Sequence, residues 1–234
     1  IGHDAVRREL SELQRLVYRR TIKKNSDGTF SADLSCLEQV IASDPSNPNI
    51  SSEIAQLLPL RIRPTPILVR ALQDQIDRNI SSAATHLLIG ESYFDKGNIA
   101  ESMKHWQIAI DREQNNVIAL NNLAHCLSQS NPPDTDRALE LLHRAISVAP
   151  SNADVLDSLG GVLIQVNRHS EAINRLEMAI RLDTNHISAR KKLAEAYKVL
   201  GRHDMAEIQE KAVHQLEALG NQNKASGSIA PKND

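Results

Sequence analysis

Cysteine, aromatic residues and long apolar runs are all scarce in this chain of 234 residues. Its two cysteines, Cys36 and Cys126, can form one bridge at most and neither sits in a Cys-x-x-Cys pair. A disulfide scaffold is thereby excluded, and both are read as reduced thiols. One Trp, three Tyr and two Phe, with 9 Gly and 9 Pro, are too few for a sheet-rich fold built on aromatic and β-branched strands. No stretch approaches the ~18 consecutive apolar residues that a transmembrane helix needs. A dominant charge is missing as well: 27 Lys and Arg against 29 Asp and Glu leave a net charge of -2 and a pI near 6.5. No global field then holds a phosphate backbone, so nucleic acid is not expected as a partner.

What is present is a soluble globular composition, 41% hydrophobic and 24% charged with a mean hydropathy of -0.37. Ala, Leu, Ile and Glu recur at helical spacing. The chain begins at Ile1 rather than Met, which reads as a piece of a larger or processed chain. Reduced thiols lean weakly toward a cytoplasmic setting, and the compartment itself stays open.

Self-similarity is the main signal. A small residue follows an apolar one at Ile89-Gly90, Leu123-Ala124, Leu159-Gly160 and Leu193-Ala194, so the small residues step by 34, 36 and 34. A second ladder, Ala109-Ile110, Ala145-Ile146, Ala179-Ile180 and Val213-His214, steps by 36, 34 and 34. Tyr93 to Leu127 is still 34 while Ser102 to Ala138 is already 36, which puts two extra residues between Leu127 and Ala138. That stretch, with Pro132 and Pro133 among turn formers, reads as a lengthened inter-helix loop.

Each unit carries two amphipathic helices. Leu156, Leu159, Gly160 and Leu163 stripe the first of one unit, and Ala172, Leu176, Ala179 and Ile180 stripe its second. Lys96-Gly97-Asn98, Val166-Asn167-Arg168-His169 and Leu200-Gly201-Arg202-His203 break the pairs, with Ser170 and Ser151-Asn152 as start signals. This pattern resembles the tetratricopeptide repeat, a 34-residue helix-turn-helix unit. Tyr93, Trp106 and Tyr197 fall on the family's large-residue sites. The resemblance implies an all-α, right-handed α-solenoid with repeats at 83–116, 117–152, 153–186 and 187–219. The family's proline after the second helix survives only at Pro150. The site of Trp106, Leu142 and Leu176 becomes Glu210 in the last unit, which predicts an accessible Glu210 at the end of the array. Residues 220–234 are expected to form a flexible tail.

The first 82 residues read as helices over about 5–24, 32–42, 51–58 and 67–78, with turn formers at Asn25-Ser26-Asp27-Gly28 and Asp44-Pro45-Ser46-Asn47-Pro48. Val40-Ile41 before Pro45 echoes Ala145-Ile146 before Pro150. Residues 31–82 are therefore degenerate repeats or a separate helical cap, and Pro59 to Pro66 a stretched turn. Arg15, Arg19, Arg20, Lys23 and Lys24 share a helix with Glu9 and Glu12 and read as a solvated face, so membrane contact is not expected.

No phosphate-cradling Gly-rich loop, Gly-x-Ser-x-Gly elbow or His-Glu-x-x-His helix occurs. The nine histidines are scattered, His125-Cys126 point apart on a helix, and Asp154 with Asp157 reads as a solvated helix face. No catalytic, cofactor or metal site is expected, and no cofactor. The informative surface is the first-helix face opposite the buried stripe: Asn121, Asn122, His125 and Gln129, then Asp154, Asp157 and Ser158, then Lys191, Lys192 and Glu195. In the family this side lines the concave groove, and an asparagine at the site of Asn122 contacts a bound peptide's main chain. Leu88, Ser158 and Lys192 hold the equivalent places, so an asparagine ladder is absent. The carboxylate clamp of chaperone-binding relatives falls on Leu87, Glu91 and Asp154 and does not assemble. The resemblance thus implies a non-catalytic scaffold that binds a protein or peptide in its groove, with an acidic portion of the partner near Lys191 and Lys192. The alternative is self-assembly into a homo-oligomer through the array end or the N-terminal helices.

Overall fold

The computed structural model describes residues 20–25, 30–43, 56 and 65–227. Most of the expected helix over 51–58, most of that over 5–24, the Asp44–Pro48 turn and most of the Pro59–Pro66 stretch lie outside them. Ten helices and one two-stranded ribbon fill the described residues, which divide into two compact units, 1–114 and 115–234.

In the first unit, β1 (Lys23–Lys24) pairs antiparallel with β2 (Phe30–Ser31). Lys23 and Lys24 therefore end in a strand, where the sequence had a helix run on to residue 24. Cross-links hold the ribbon: Asp33 N donates to Thr21 Oγ1 at 3.0 Å, and Ser31 Oγ donates to Asn25 Oδ1 at 3.1 Å. Helix α1 (Ser35–Ser43) starts where Asp33 Oδ1 accepts from Ser35 N. Helix α2 (Pro66–Asp77) has proline in its first turn, where no amide donor is needed, and Thr65 as its N-cap. Leu34, Leu37 and Val40 pack with Leu68 and Leu72 of α2 and with Leu88 and Ile89 of α3 (Ala83–Asp95). Helix α4 (Ile99–Arg112) completes the unit. It lays Trp106 across Gly90 and donates Trp106 Nε1 to Leu87 O at 3.3 Å.

The second unit holds three helix pairs: α5 (Val117–Gln129) with α6 (Thr135–Val148), α7 (Ala153–Gln165) with α8 (His169–Leu182), and α9 (Ile187–Val199) with α10 (His203–Gly227). Asn116, Asp134, Asn152 and His186 cap α5, α6, α7 and α9 by accepting from an amide three residues on. Arg168 precedes α8 without a cap bond and instead grips Glu171 with two hydrogen bonds, at 2.7 and 2.6 Å. The helix so begins at His169 rather than after Ser170. Gly97, Asn167 and Gly201 occupy equivalent turns within their pairs, all with φ between 61° and 75°, a region that Gly reaches freely and Asn tolerates. The two inserted residues fall between α5 and α6, where Ser130 Oγ bonds the carbonyls of Leu127 and Pro132. Helix α10 runs through the expected tail boundary at Gly220 to Gly227.

The first helices α5, α7 and α9 lie side by side, and α6 and α8 each pack onto the next pair's first helix. Each first helix buries one stripe, such as Leu120, Leu123, Ala124 and Leu127 on α5. The opposite side of all three is left open.

Candidate functional site

The open face of the second unit is built by three stripes at helical spacing. On α5, Asn121 and Asn122 are half-buried and His125 and Gln129 exposed. On α7, Asp154 is exposed and Ser158 half-buried; on α9, Lys191 and Glu195 are exposed and Lys192 half-buried. Their backbones are fixed by the cores beneath, so the side chains are presented on a firm surface.

One expected groove residue departs from that reading. Asp157 is 7% exposed, not on a solvated face. Two side chains of α9 close over it: Ser188 Oγ donates to Asp157 Oδ2 at 2.8 Å, and Lys192 Nζ reaches the same oxygen at 2.8 Å. The lysine stem crosses Gly161, whose missing side chain leaves it room; a Cβ there would come 3.3 Å from Lys192 Cε. Asp157 Oδ1 has no hydrogen-bond partner, and neither has Asn121 Oδ1.

Lys191 also has an internal partner, Glu217 on α10, at 2.7 Å. This pair holds the Glu217 carboxyl below the usual carboxylate range, through the lysine hydrogen bond first and its charge second. Asp154 stands 3.4 Å from His186 Nε2 and, as the acceptor facing that nitrogen, raises the imidazole pKa. The other ring nitrogen of His186 accepts from Ala189 N at 3.3 Å as the α9 cap, which leaves the proton on Nε2, toward Asp154. His125 is driven the other way: desolvation, then the nearby Lys192 charge, lowers its pKa against the pull of Asp157. His125, Asp157 and Lys192 therefore form one electrostatic neighbourhood across three helices. Asp154 and His186 form a second, at the start of α7 and α9.

A buried polar cluster in the first unit was not picked out from the sequence. His86, 3% exposed, stacks on His105 with ring centroids 5.2 Å apart and their Nδ1 atoms 3.0 Å apart, while its Nε2 lies 3.1 Å from Ser81 Oγ. Tyr93 stacks on the far side of His105 at 5.5 Å. Thr85 Oγ1 donates to Gln75 Oε1 at 3.2 Å, and Arg112 donates to Ser81 O. Burial first, then the His105 and Arg112 charges, push the His86 pKa down to about 4. The available signal was a histidine inside a run of buried first-helix positions, His86-Leu87-Leu88-Ile89. Among the described residues, no three His, Cys, Asp or Glu stand together as a metal site, and no helix is long and apolar enough to cross a membrane.

No protein-family model matches the chain, and no curated protein matches it by sequence. Solved structures do match. A crystal structure of MamA superposes with a TM-score of 0.57 at 22% identity, covering 66% of this chain and 90% of that one. A second MamA crystal structure gives 0.56 at 19%, over 84% of this chain and 98% of that one. PilF of Pseudomonas aeruginosa gives 0.57 at 16%, over 76% of each chain. MamA and PilF are tetratricopeptide-type helical repeat proteins. The fold of this chain is the tetratricopeptide-type α-solenoid. In this frame Gly90, Ala124, Gly160 and Ala194 are the small residues of the first helices, and Gly90 and Gly160 face Trp106 and Leu176 of the second. Glu210 is 43% exposed in its side chain and pairs with Lys198.

Proposed function

We propose that the chain is a non-catalytic scaffold that binds a protein or peptide along the first helices of its second unit. One observation carries this reading. On α5, α7 and α9 the side chains of Gln129, Ser158 and Glu195 stand on the open face with no hydrogen-bond or ion-pair partner among the described residues. Polar groups fixed on a rigid surface and not engaged within the fold are available to a partner at little ordering cost. Asn121 and Asn122 bring amides that both donate and accept, as a peptide main chain requires. The test is selection of binding peptides from a displayed library, followed by Asn122→Ala on the groove and Glu140→Ala on the outer side of α6. Loss of binding in the first variant alone supports the groove; loss in the second alone refutes it.

Self-assembly is favoured by a different feature. Met205 and Ile208 on α10 are 44% and 61% exposed. The equivalent second-helix positions in the other units are Glu101 and Lys104, Arg137 and Glu140, and Glu171 and Asn174. An apolar pair where every other unit is polar suits contact with another copy. Light scattering at several concentrations decides it, since a self-assembling chain gains mass with concentration and Met205→Glu/Ile208→Glu abolishes the gain.

A further inference from the structure

Met205 and Ile208 belong to a larger apolar patch at the end of the second unit. Among the described residues twelve large apolar side chains are left exposed, and four of them, Val199, Leu200, Met205 and Ile208, fall within ten consecutive positions across the α9–α10 turn. Met205 and Ile208 replace polar residues of the other repeats, as noted above. Val199 and Leu200 stand where those repeats have Asp95 and Lys96, Gln129 and Ser130, and Gln165 and Val166. Only Val166 among the twelve equivalents is apolar, so the patch is a property of the last repeat and not of the fold.

The patch does not lie where a further repeat would dock. Helices α6 and α8 each pack on the next pair's first helix and carry Leu139 with Ile146, and Ile173 with Ile180, all buried or half-buried. The matching positions of α10 are Glu207 and His214, both exposed. At ~100° per residue, Glu207 and His214 stand roughly opposite Met205 on the helix. End-to-end stacking of copies, repeat on repeat, is therefore disfavoured by a polar face, while the apolar patch is left on another side.

The charged border of the patch says what covers it. Asp204 and Lys211, seven residues apart, flank Met205 and Ile208 along one edge of α10 and are exposed. Glu207, one turn back, pairs with Lys211 at 2.7 Å. Two copies of α10 laid parallel would set Asp204 against Asp204 and Lys211 against Lys211. Laid antiparallel about a two-fold axis near Ala206, Met205 of each copy meets Ile208 of the other, and Asp204 comes within a turn of the second copy's Lys211, once on each side of the axis. This edge is thus complementary to itself in one direction only.

We infer that two copies of this chain close on each other through an antiparallel α10–α10 contact, apolar at Met205 and Ile208, with Val199 and Leu200 beside it, and bordered by two Asp204–Lys211 pairs. The inference rests on the self-assembly reading and deepens it: the contact is isologous, so it stops at two copies.

The test follows the mass of the full chain against concentration at low ionic strength by analytical ultracentrifugation. The parent should approach twice its monomer mass and go no further. Asp204→Lys alone and Lys211→Glu alone each turn both border pairs into like charges. An exposed pair contributes up to about fivefold, so each variant should dimerise roughly five- to twenty-fivefold more weakly. An equimolar mixture of the two variants restores both pairs and should recover the parent's affinity, which a variant weakened by poor folding would not. Absence of any mass gain in the parent overturns both this inference and the self-assembly reading. Growth beyond two copies, unchanged affinity in the single variants, or a mixture no tighter than its components overturns the antiparallel contact while self-assembly stands.

Discussion

Gly160 offers a sharp test of how the repeat holds together. A Cβ placed on it would lie 2.5 Å from Leu176 Cγ and 2.6 Å from Leu176 Cδ2. Ordinary carbon contacts are ~3.5 to 4.0 Å, so the side chain or the helix must yield by about 1 Å. The branch carbon cannot be swung aside as a chain end can, and overpacking of this kind costs ~1 to 3 kcal/mol. Alanine returns up to about 1 kcal/mol through its better helix preference, which leaves Gly160→Ala destabilised by about 1 kcal/mol. Gly160→Leu, with three more carbons in the same space, should lose about 3 kcal/mol. Gly220 provides the control: a Cβ there meets nothing within 4 Å, so Gly220→Ala gains helix preference without a clash. Urea unfolding followed by circular dichroism measures all three. Combining Gly160→Ala with Leu176→Ala should cost less than the sum of the two single changes by about 1 kcal/mol, because each relieves the other. Equal midpoints for Gly160→Leu and the parent, or strict additivity in the double variant, would refute the close approach of α7 and α8 at this point.

Acid should weaken the first unit. The His86 pKa falls from an ordinary 6.5 to about 4 in the fold, so unfolding takes up a proton. Its contribution is complete above pH 6.5 and is lost progressively down to about pH 4, roughly 3 kcal/mol in all. His86→Gln should flatten urea midpoints between pH 6.5 and 5, and an unchanged slope would contradict this. Asp157→Ala removes the acceptor of Ser188 and Lys192 and should cost about 2 kcal/mol, whereas Asn122→Ala should leave the melting temperature within a degree or so. Glu210→Leu gives up only an exposed pair with Lys198 and should change stability by less than ~1 kcal/mol; a larger loss on thermal melting would mean that Glu210 does more than end the array.

The repeat was legible because it is written in residue size at fixed spacing. Gly90 and Gly160 can be nothing larger against Trp106 and Leu176, and the 34-residue step survives a two-residue loop because the loop lies outside the packed helices. The N-cap Asn152 was a local signal of the same kind. What escaped the sequence depends on distant partners. Asp157 looks solvated at helical spacing, since Ser188 and Lys192, which bury it, lie 31 and 35 residues away. His86 and His105 meet across 19 residues. The strand at Lys23–Lys24 replaced a helix because residues beyond it supplied hydrogen-bond partners that the periodicity does not encode. Residues 220–234 were read as a tail from their polar composition, yet the helix runs on to Gly227, since glycine only lowers helix preference and does not forbid it. The internal partners of Lys191 and Lys192 were hidden for a related reason: Glu217 and Asp157 come from other helices.

The most direct test places a photo-crosslinking amino acid at Gln129 or Glu195 on the groove, and at Glu140 or Asn174 on the outer side, one position per variant of the full chain. Irradiation with a display-selected peptide should give crosslinks from Gln129 and Glu195 and none from the outer positions. Crosslinks confined to Glu140 and Asn174 would contradict the proposal that the first helices of the second unit carry the binding surface.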